Sequence, residues 1–225
     1  AYWSLAIVHI EMQRFDAGAD DLQRAIDING EVAGYHEKLG TVRMELEQWD
    51  QARDAFARAL ELDSTLFKAH FKLGQIAERQ DDPQTALQEY TEAIRTGSRF
   101  IPAYRSLGRL YADVGFTTEA VQVLQAGLQG GIEGTGDEAE LHHLLGTVYQ
   151  QQRNYDGAVA EFREALRIEP SMHETLFSLG WTYSLQDNRE EARRYLKRYV
   201  DLAGAEAPPH YLKAAQDRLG QLGGP

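Results

Sequence analysis

The sequence contains no cysteine. This excludes a disulfide framework and a thiolate zinc site, and it leaves the compartment open, since it suits a reducing cytoplasm and a bacterial cell envelope equally. Long apolar runs are missing too. None approaches the roughly 18–20 residues of a membrane span, so no direct membrane insertion is expected. The opening stretch AYWSLAIVHIEMQRF has neither a basic leader nor a small-residue cleavage site, and it is not read as a signal peptide. Nor is there a basic surplus. Lys and Arg number 23 against 35 Asp and Glu, a formal net charge of −12, which argues against nonspecific nucleic-acid binding because the phosphates would be repelled.

Signals of catalysis are equally scarce. No HExxH is present, and no Ser-His-Asp arrangement can be placed. The acidic pairs Asp20-Asp21, Asp81-Asp82 and Glu190-Glu191 read as solvated turn or surface positions. Gly134-x-Gly136-x-x-Ala139 has the spacing of a dinucleotide fingerprint, but no strand precedes it, and that chemistry needs a strand–turn–helix context. His36, His70 and His142 share one register, yet adjacent helices lie roughly 8–10 Å apart, too far for ligands that must approach a shared metal to about 2 Å. No catalytic residue, metal or cofactor is therefore expected.

What the chain does contain is repetition. Leu-Gly pairs fall at Leu39-Gly40, Leu73-Gly74, Leu107-Gly108, Leu145-Gly146 and Leu179-Gly180, with glycine spacings of 34, 34, 38 and 34. Twelve residues after each glycine stands Ala52, Ala86, Ala120, Ala158 or Ala192. Four further on comes a large residue: Phe56, Tyr90, Leu124, Phe162 or Leu196. Three more reach Ala59, Ala93, Gly127 and Ala165, with Tyr199 as the exception. An earlier unit, Leu5-Ala6 with Gly18, Leu22 and Ala25, fits the same ruler, so there are six units. Within a unit, Leu39, Val42 and Leu46 recur at helical spacing. One unit cannot bury its apolar stripe alone, and stacking buries it, which is the physical reason to repeat. The small residues are expected where helix backbones approach closely, and Asp16, Asp50 and Asp156 read as N-caps.

This pattern resembles the tetratricopeptide repeat family, whose signature is W-x2-L-G-x2-Y…A-x3-F…P at a 34-residue period. Leu145, Gly146, Tyr149, Ala158, Phe162, Ala165 and Pro170 match it best. The resemblance implies an all-α, right-handed superhelical solenoid of antiparallel helix pairs, thirteen helices in all. The expected divisions are residues 1–32, 33–66, 67–100, 101–138, 139–172 and 173–206 for the repeats, then a capping helix over 207–225. Repeat four carries a lengthened turn with Gly130, Gly131, Gly134 and Gly136, a candidate hinge, closed by a Thr135/Glu138 capping box. The last helix should carry Tyr211, Leu212, Ala215 and Leu219 on one stripe. Ala1 falls at the third position of a repeat's first helix, so the chain is expected to begin inside a longer protein.

In this family the first helix of each pair lines a concave groove, chiefly through its second, fifth, sixth, ninth and thirteenth positions. In the middle of this chain those positions hold Lys38, Lys68, Phe71, Lys72, Gln75, Arg79, Arg105 and Arg109, against Glu37, Glu45 and Asp113. Further on they hold His143, Leu144, Phe177, Trp181 and Leu185. The family's carboxylate clamp is not carried over, because its Lys and Asn positions read Glu37/Thr41, Phe71/Gln75 and Arg105/Arg109. The asparagine ladder of related arrays is absent as well. The resulting expectation is a scaffold or adaptor that binds a protein or peptide, with an acidic or phosphorylated segment on a basic surface beside an apolar-aromatic one. Two alternatives stay open: the non-catalytic arm of a larger enzyme, and a self-assembling structural protein.

Overall fold

A computed structural model describes residues 1–130, 134–203 and 208–223. They form thirteen helices, and no strand is found among the described residues. The helices are α1 (Tyr2–Glu11), α2 (Phe15–Ile28), α3 (Ala33–Glu45), α4 (Trp49–Leu62), α5 (Phe67–Arg79), α6 (Pro83–Thr96), α7 (Ile101–Asp113), α8 (Thr117–Leu128), α9 (Gly136–Gln151), α10 (Tyr155–Ile168), α11 (His173–Leu185), α12 (Arg189–Ala203) and α13 (Pro209–Leu222). Two compact units are present, Ala1–Ala103 and Tyr104–Pro225. The division falls within α7, not at the Gly-rich segment, where Gly131 lies outside the described residues.

In the first unit α1 packs on α2, α3 on α4 and α5 on α6, and α2 meets α3 as α4 meets α5. In the second, α9 packs on α10 and α11 on α12, α8 meets α9, and α13 closes against α12. Each core is therefore built by neighbours. Ala6, Ala19, Leu22, Leu39 and Val42 form one cluster, Ala52, Phe56, Ala69 and Ile76 another, and Phe162, Leu176, Leu179, Leu196 and Ala215 belong to a third.

Within-pair turns share one geometry. Gln13, Glu47, Asp81, Arg153 and Asp187 adopt φ between 55° and 60°, and Gly115 adopts 87°. Around Glu47, its own amide donates to Met44 O at 2.9 Å and the Gln48 amide donates to Arg43 O at 2.9 Å. These are the two bonds that close a helix through a left-handed residue. Five of the six turns manage this without glycine, so the left-handed conformation is imposed by the helix pairing on both sides.

Two expectations need correction here. The Leu-Gly glycines make room chiefly for a side chain: each is covered by the large residue sixteen positions on, and only at Gly180 is a facing backbone atom, Leu196 N, among the nearest contacts. A Cβ on Gly74 would stand 2.5 Å from Tyr90 Cε1, and on Gly146 2.7 Å from Phe162 Cδ1. Gly40 faces Phe56, Gly108 faces Leu124 and Gly180 faces Leu196 in the same way. Tyr90, Phe56 and Phe162 are fully buried there, each burial stabilising by roughly 1.5–3 kcal/mol. The small positions Ala52, Ala86, Ala120, Ala158 and Ala192 are fully buried too.

Asp16, Asp50 and Asp156 are not N-caps. The caps are Arg14, Gln48 and Asn154, and the aspartates lie in the first turn. Two of them instead join neighbouring pairs: Gln80 donates to Asp50 at 3.4 Å and Gln186 donates to Asp156 at 2.7 Å. Side-chain caps are made by Asp82, Thr135 and Asn154. Thr135 accepts from the Glu138 amide, while the Glu138 carboxylate accepts from the Gly134 amide, one residue before the position a capping box uses.

Candidate peptide-binding surface

The positions expected to line a groove fare differently in the two units. In the first, Lys68 is exposed with its ammonium 5.9 Å from the Phe67 ring centroid, and half-buried Lys72 donates to Gln75 at 3.0 Å. Lys38 is half-buried on α3. Among the described residues no carboxylate lies within 4.0 Å of Lys38, Lys68 or Lys72. Arg79 is engaged: its guanidinium sits 4.4 Å over the Trp49 ring and 4.0 Å from Glu47. Phe71 is not a groove residue. It is buried, 5.5 Å from the Tyr90 ring and 5.0 Å, edge to face, from Phe100.

In the second unit the two arginines are not free cations. Arg105 pairs with Glu140 and lies 3.7 Å from Asp137, and Arg109 lies 3.4 Å from Asp113. Of the expected basic groove positions, these two therefore already carry carboxylate partners. Glu140 occupies the second position of the repeat that begins at residue 139, itself a groove position. Arg105, Arg109, Glu140, Leu144 and Met172 line a cleft of about 350 Å³, whose wall His143 and Glu174 share with a larger one.

That larger cleft, about 620 Å³, is lined by His143, Thr147, Gln150, Glu174, Phe177, Ser178, Trp181 and Tyr211, with His173, Tyr199 and Pro208. Phe177 and Trp181, four apart on α11, stack at 5.7 Å with planes 20° apart. Tyr199 and Tyr211 meet Phe177 edge-on at 5.4 and 4.9 Å. Tyr211 belongs to α13, so the terminal helix borders the aromatic wall without closing it, and Phe177 and Trp181 remain half-buried. α13 is held there by Arg218, which donates to the Ser184 hydroxyl at 3.0 Å and its carbonyl at 3.3 Å. Tyr211 and Arg218 were not among the expected site residues, because no spacing within the repeat reports where the last helix docks.

His143 Nδ1 is 2.9 Å from the Thr175 hydroxyl. Burial holds its imidazole below the usual histidine value, opposed by the nearby Glu174 carboxylate, so it stands neutral near pH 7. The three aligned histidines have structural partners. His70 and His142 meet Glu89 and Glu161 at 2.8 and 2.6 Å, and His36 meets the Gly30 carbonyl at 2.8 Å. No group of three or more His, Asp or Glu arranged to hold a metal is found among the described residues. None of the described helices is long and apolar enough to cross a membrane.

Sequence profiles described as tetratricopeptide repeat match residues 4–65, 37–99, 139–172 and 174–203. The chain belongs to the tetratricopeptide repeat family. Membership supports a protein-interaction scaffold as its general role. Similar solved structures include YrrB, described as a TPR protein with an unusual peptide-binding site, at 21% identity, TM-score 0.72, covering 88% of this chain and 99% of that one. The C-terminal part of a TPR protein from Cytophaga hutchinsonii gives 14% identity and a TM-score of 0.76, covering 98% and 95%. PilF from Pseudomonas aeruginosa gives 19% and 0.68, covering 92% and 90%. At these identities the likeness is one of fold. No curated protein sequence is significantly similar to the chain.

Proposed function

We propose that the chain is a non-catalytic scaffold that takes a peptide segment of a partner protein, and that the cleft at Phe177, Trp181 and Tyr211 seats a large apolar residue of that segment. One observation carries this reading: two stacked aromatic rings remain half-buried in a concave wall, while the large repeat-position residues Phe56, Tyr90 and Phe162 are fully buried. Covering such surface yields roughly 25 cal/mol per Å², and buried aromatic anchors carry most of the energy in typical interfaces. YrrB, with its unusual peptide-binding site, offers a precedent within the same fold. In the first unit, Lys68 and Lys72 suit an acidic or phosphorylated residue, and Lys38 adds a third ammonium group. Arg105 and Arg109 drop out of that role because Glu140 and Asp113 already neutralise them.

The test is selection of a random peptide library on the purified chain, then titration of the enriched peptides against variants. Trp181→Ala should weaken binding tenfold or more, a loss of about 1.4 kcal/mol. The double reversal Lys68→Glu, Lys72→Glu should weaken the binding of acidic peptides at low salt, by a margin that shrinks at high salt. Failure to enrich any peptide, or equal affinity for wild type and Trp181→Ala, removes the proposal.

A further inference from the structure

The Phe177–Trp181 cleft has a polarity as well as an apolar wall. Among its described lining residues there is one carboxylate, Glu174, and neither Lys nor Arg. His143 contributes no positive charge near pH 7, for the reason given above, and His173 is the other imidazole. Glu174 has no Lys or Arg within 4.0 Å among the described residues; the nearest arginines in the adjoining cleft are engaged by Glu140, Asp137 and Asp113. On α11, Glu174, Phe177 and Trp181 are spaced by three and four residues, so the carboxylate stands one turn before the two rings on the same face.

We propose that this cleft selects a basic side chain, arginine above lysine, whose head pairs with Glu174 while its planar end or its alkyl stem lies along Phe177 and Trp181. The proposal rests on the peptide-binding reading of the same cleft and gives the seated residue a basic head in place of a purely apolar side chain, its stem still lying on the two rings. A cation over an aromatic face gains from the ring quadrupole, a guanidinium stacks where an ammonium cannot, and its weaker hydration lowers the cost of entering a partly enclosed site. The chain writes the same recognition internally, with Arg24 beside Tyr2 and Asp21, with Arg194 beside Tyr195 and Glu191, and over an indole with Arg79. Arg79 lies 4.4 Å over the Trp49 ring with Glu47 at 4.0 Å from its guanidinium, the same three chemical groups brought together by two neighbouring helix pairs. In the cleft, the aromatic and the acidic groups are in place and the cation is supplied by the partner. A chain of net charge −12 also draws cationic segments toward it over distances set by the ionic strength.

The test uses three small probes on the isotopically labelled full chain: N-acetyl-arginine amide, its neutral isostere N-acetyl-citrulline amide, and N-acetyl-leucine amide. The indole N–H resonance of Trp181, assigned through Trp181→Phe, reports occupancy. The arginine probe should titrate this resonance at least tenfold more tightly than the citrulline probe, and in Glu174→Gln the two should become equal. Equal titration by the two probes on wild type overturns the inference, as does a preference that survives in Glu174→Gln. If the leucine probe alone moves the resonance, the apolar-anchor reading stands and the basic-residue inference falls. If no probe moves it, the inference falls, and the peptide selection decides the scaffold reading separately.

Discussion

Phe71 and Phe177 occupy the same position, the fifth of a pair's first helix, and meet opposite fates. Phe71 on α5 is buried between Tyr90 and Phe100, whereas Phe177 on α11 stacks on Trp181 in an open cleft. The cause lies on the second helix. Where the third pair has Ala93, fully buried and small, the sixth has Tyr199, whose ring meets Phe177 edge-on at 5.4 Å. The two fates track this difference: alanine is small at that position, and tyrosine puts a ring beside Phe177, a contrast that Tyr199→Ala tests. The ninth position reinforces the difference, since Gln75 offers no ring to stack on and Trp181 does.

The largest effect should come from filling the glycine of the third pair. Gly74→Leu drives a side chain into the buried Tyr90 ring, so it should destabilise by about 3 kcal/mol, the upper end of overpacking. Gly180→Leu is crowded less closely, its Cβ 2.8 Å from Leu196 Cγ and 3.0 Å from its amide nitrogen, and should cost less, about 2 kcal/mol. Urea melts of both variants give the comparison, and hydrogen exchange on Gly74→Leu should show protection lost first in residues 68–94, because repeats contact only their neighbours. Uniform loss across the chain, or equal costs at the two glycines, would contradict this account.

Next, Tyr199→Ala gives the sixth pair the alanine of the third. Phe177 should then sink, so the cost should stay near 2 kcal/mol, below the roughly 3–5 expected of an aromatic-to-alanine change that leaves its cavity open. Trp181 fluorescence should shift, and affinity for selected peptides should fall. A cost of the full size with unchanged peptide affinity would mean that Tyr199 does not hold Phe177 in place.

The same fifth position of the repeat that begins at residue 139 holds His143, and here the prediction concerns pH. Its folded-state affinity for a proton is lowered by burial, while in the unfolded chain it titrates near 6.5. The unfolded state therefore binds more protons below that value, so stability is full above about pH 6.5 and declines as pH falls. The slope from this one group cannot exceed about 1.4 kcal/mol per pH unit. His143→Gln, which can keep a hydrogen bond to Thr175, should flatten the decline in urea midpoints. An unchanged profile would remove His143 as its source. Smallest of all should be Asp81→Gly and Asp187→Gly, in the within-pair turns of the third and sixth pairs. Relief of the left-handed conformation and added freedom of the unfolded chain nearly offset each other, at roughly 0.5–1 kcal/mol each. Near-neutral and equal thermal midpoints are expected, and a large difference would show that the two turns are not equivalent.

The repeat itself was legible because its signal is local and multiplied: six copies of one spacing specify helix, turn and helix, and in five of the six pairs a glycine and the large residue sixteen positions later identify each other. Charge was legible only as an inventory. Whether Arg105 meets solvent or Glu140 depends on two residues thirty-five apart that the fold brings together, and no composition reports that pairing. The same holds for the aspartates taken as caps, since Asp50 and Asp156 turn toward glutamines thirty residues away. The sequence by itself determined the period, the all-helical pairs and which face of each helix is apolar, because those follow from spacings of three and four along one chain. Only the tertiary structure decided which aromatic is core and which lines a cleft, because that depends on the volume left by a neighbouring helix. It also decided where α13 stops short of covering Trp181, because α13 departs from the repeat and no spacing within the repeat sets its docking.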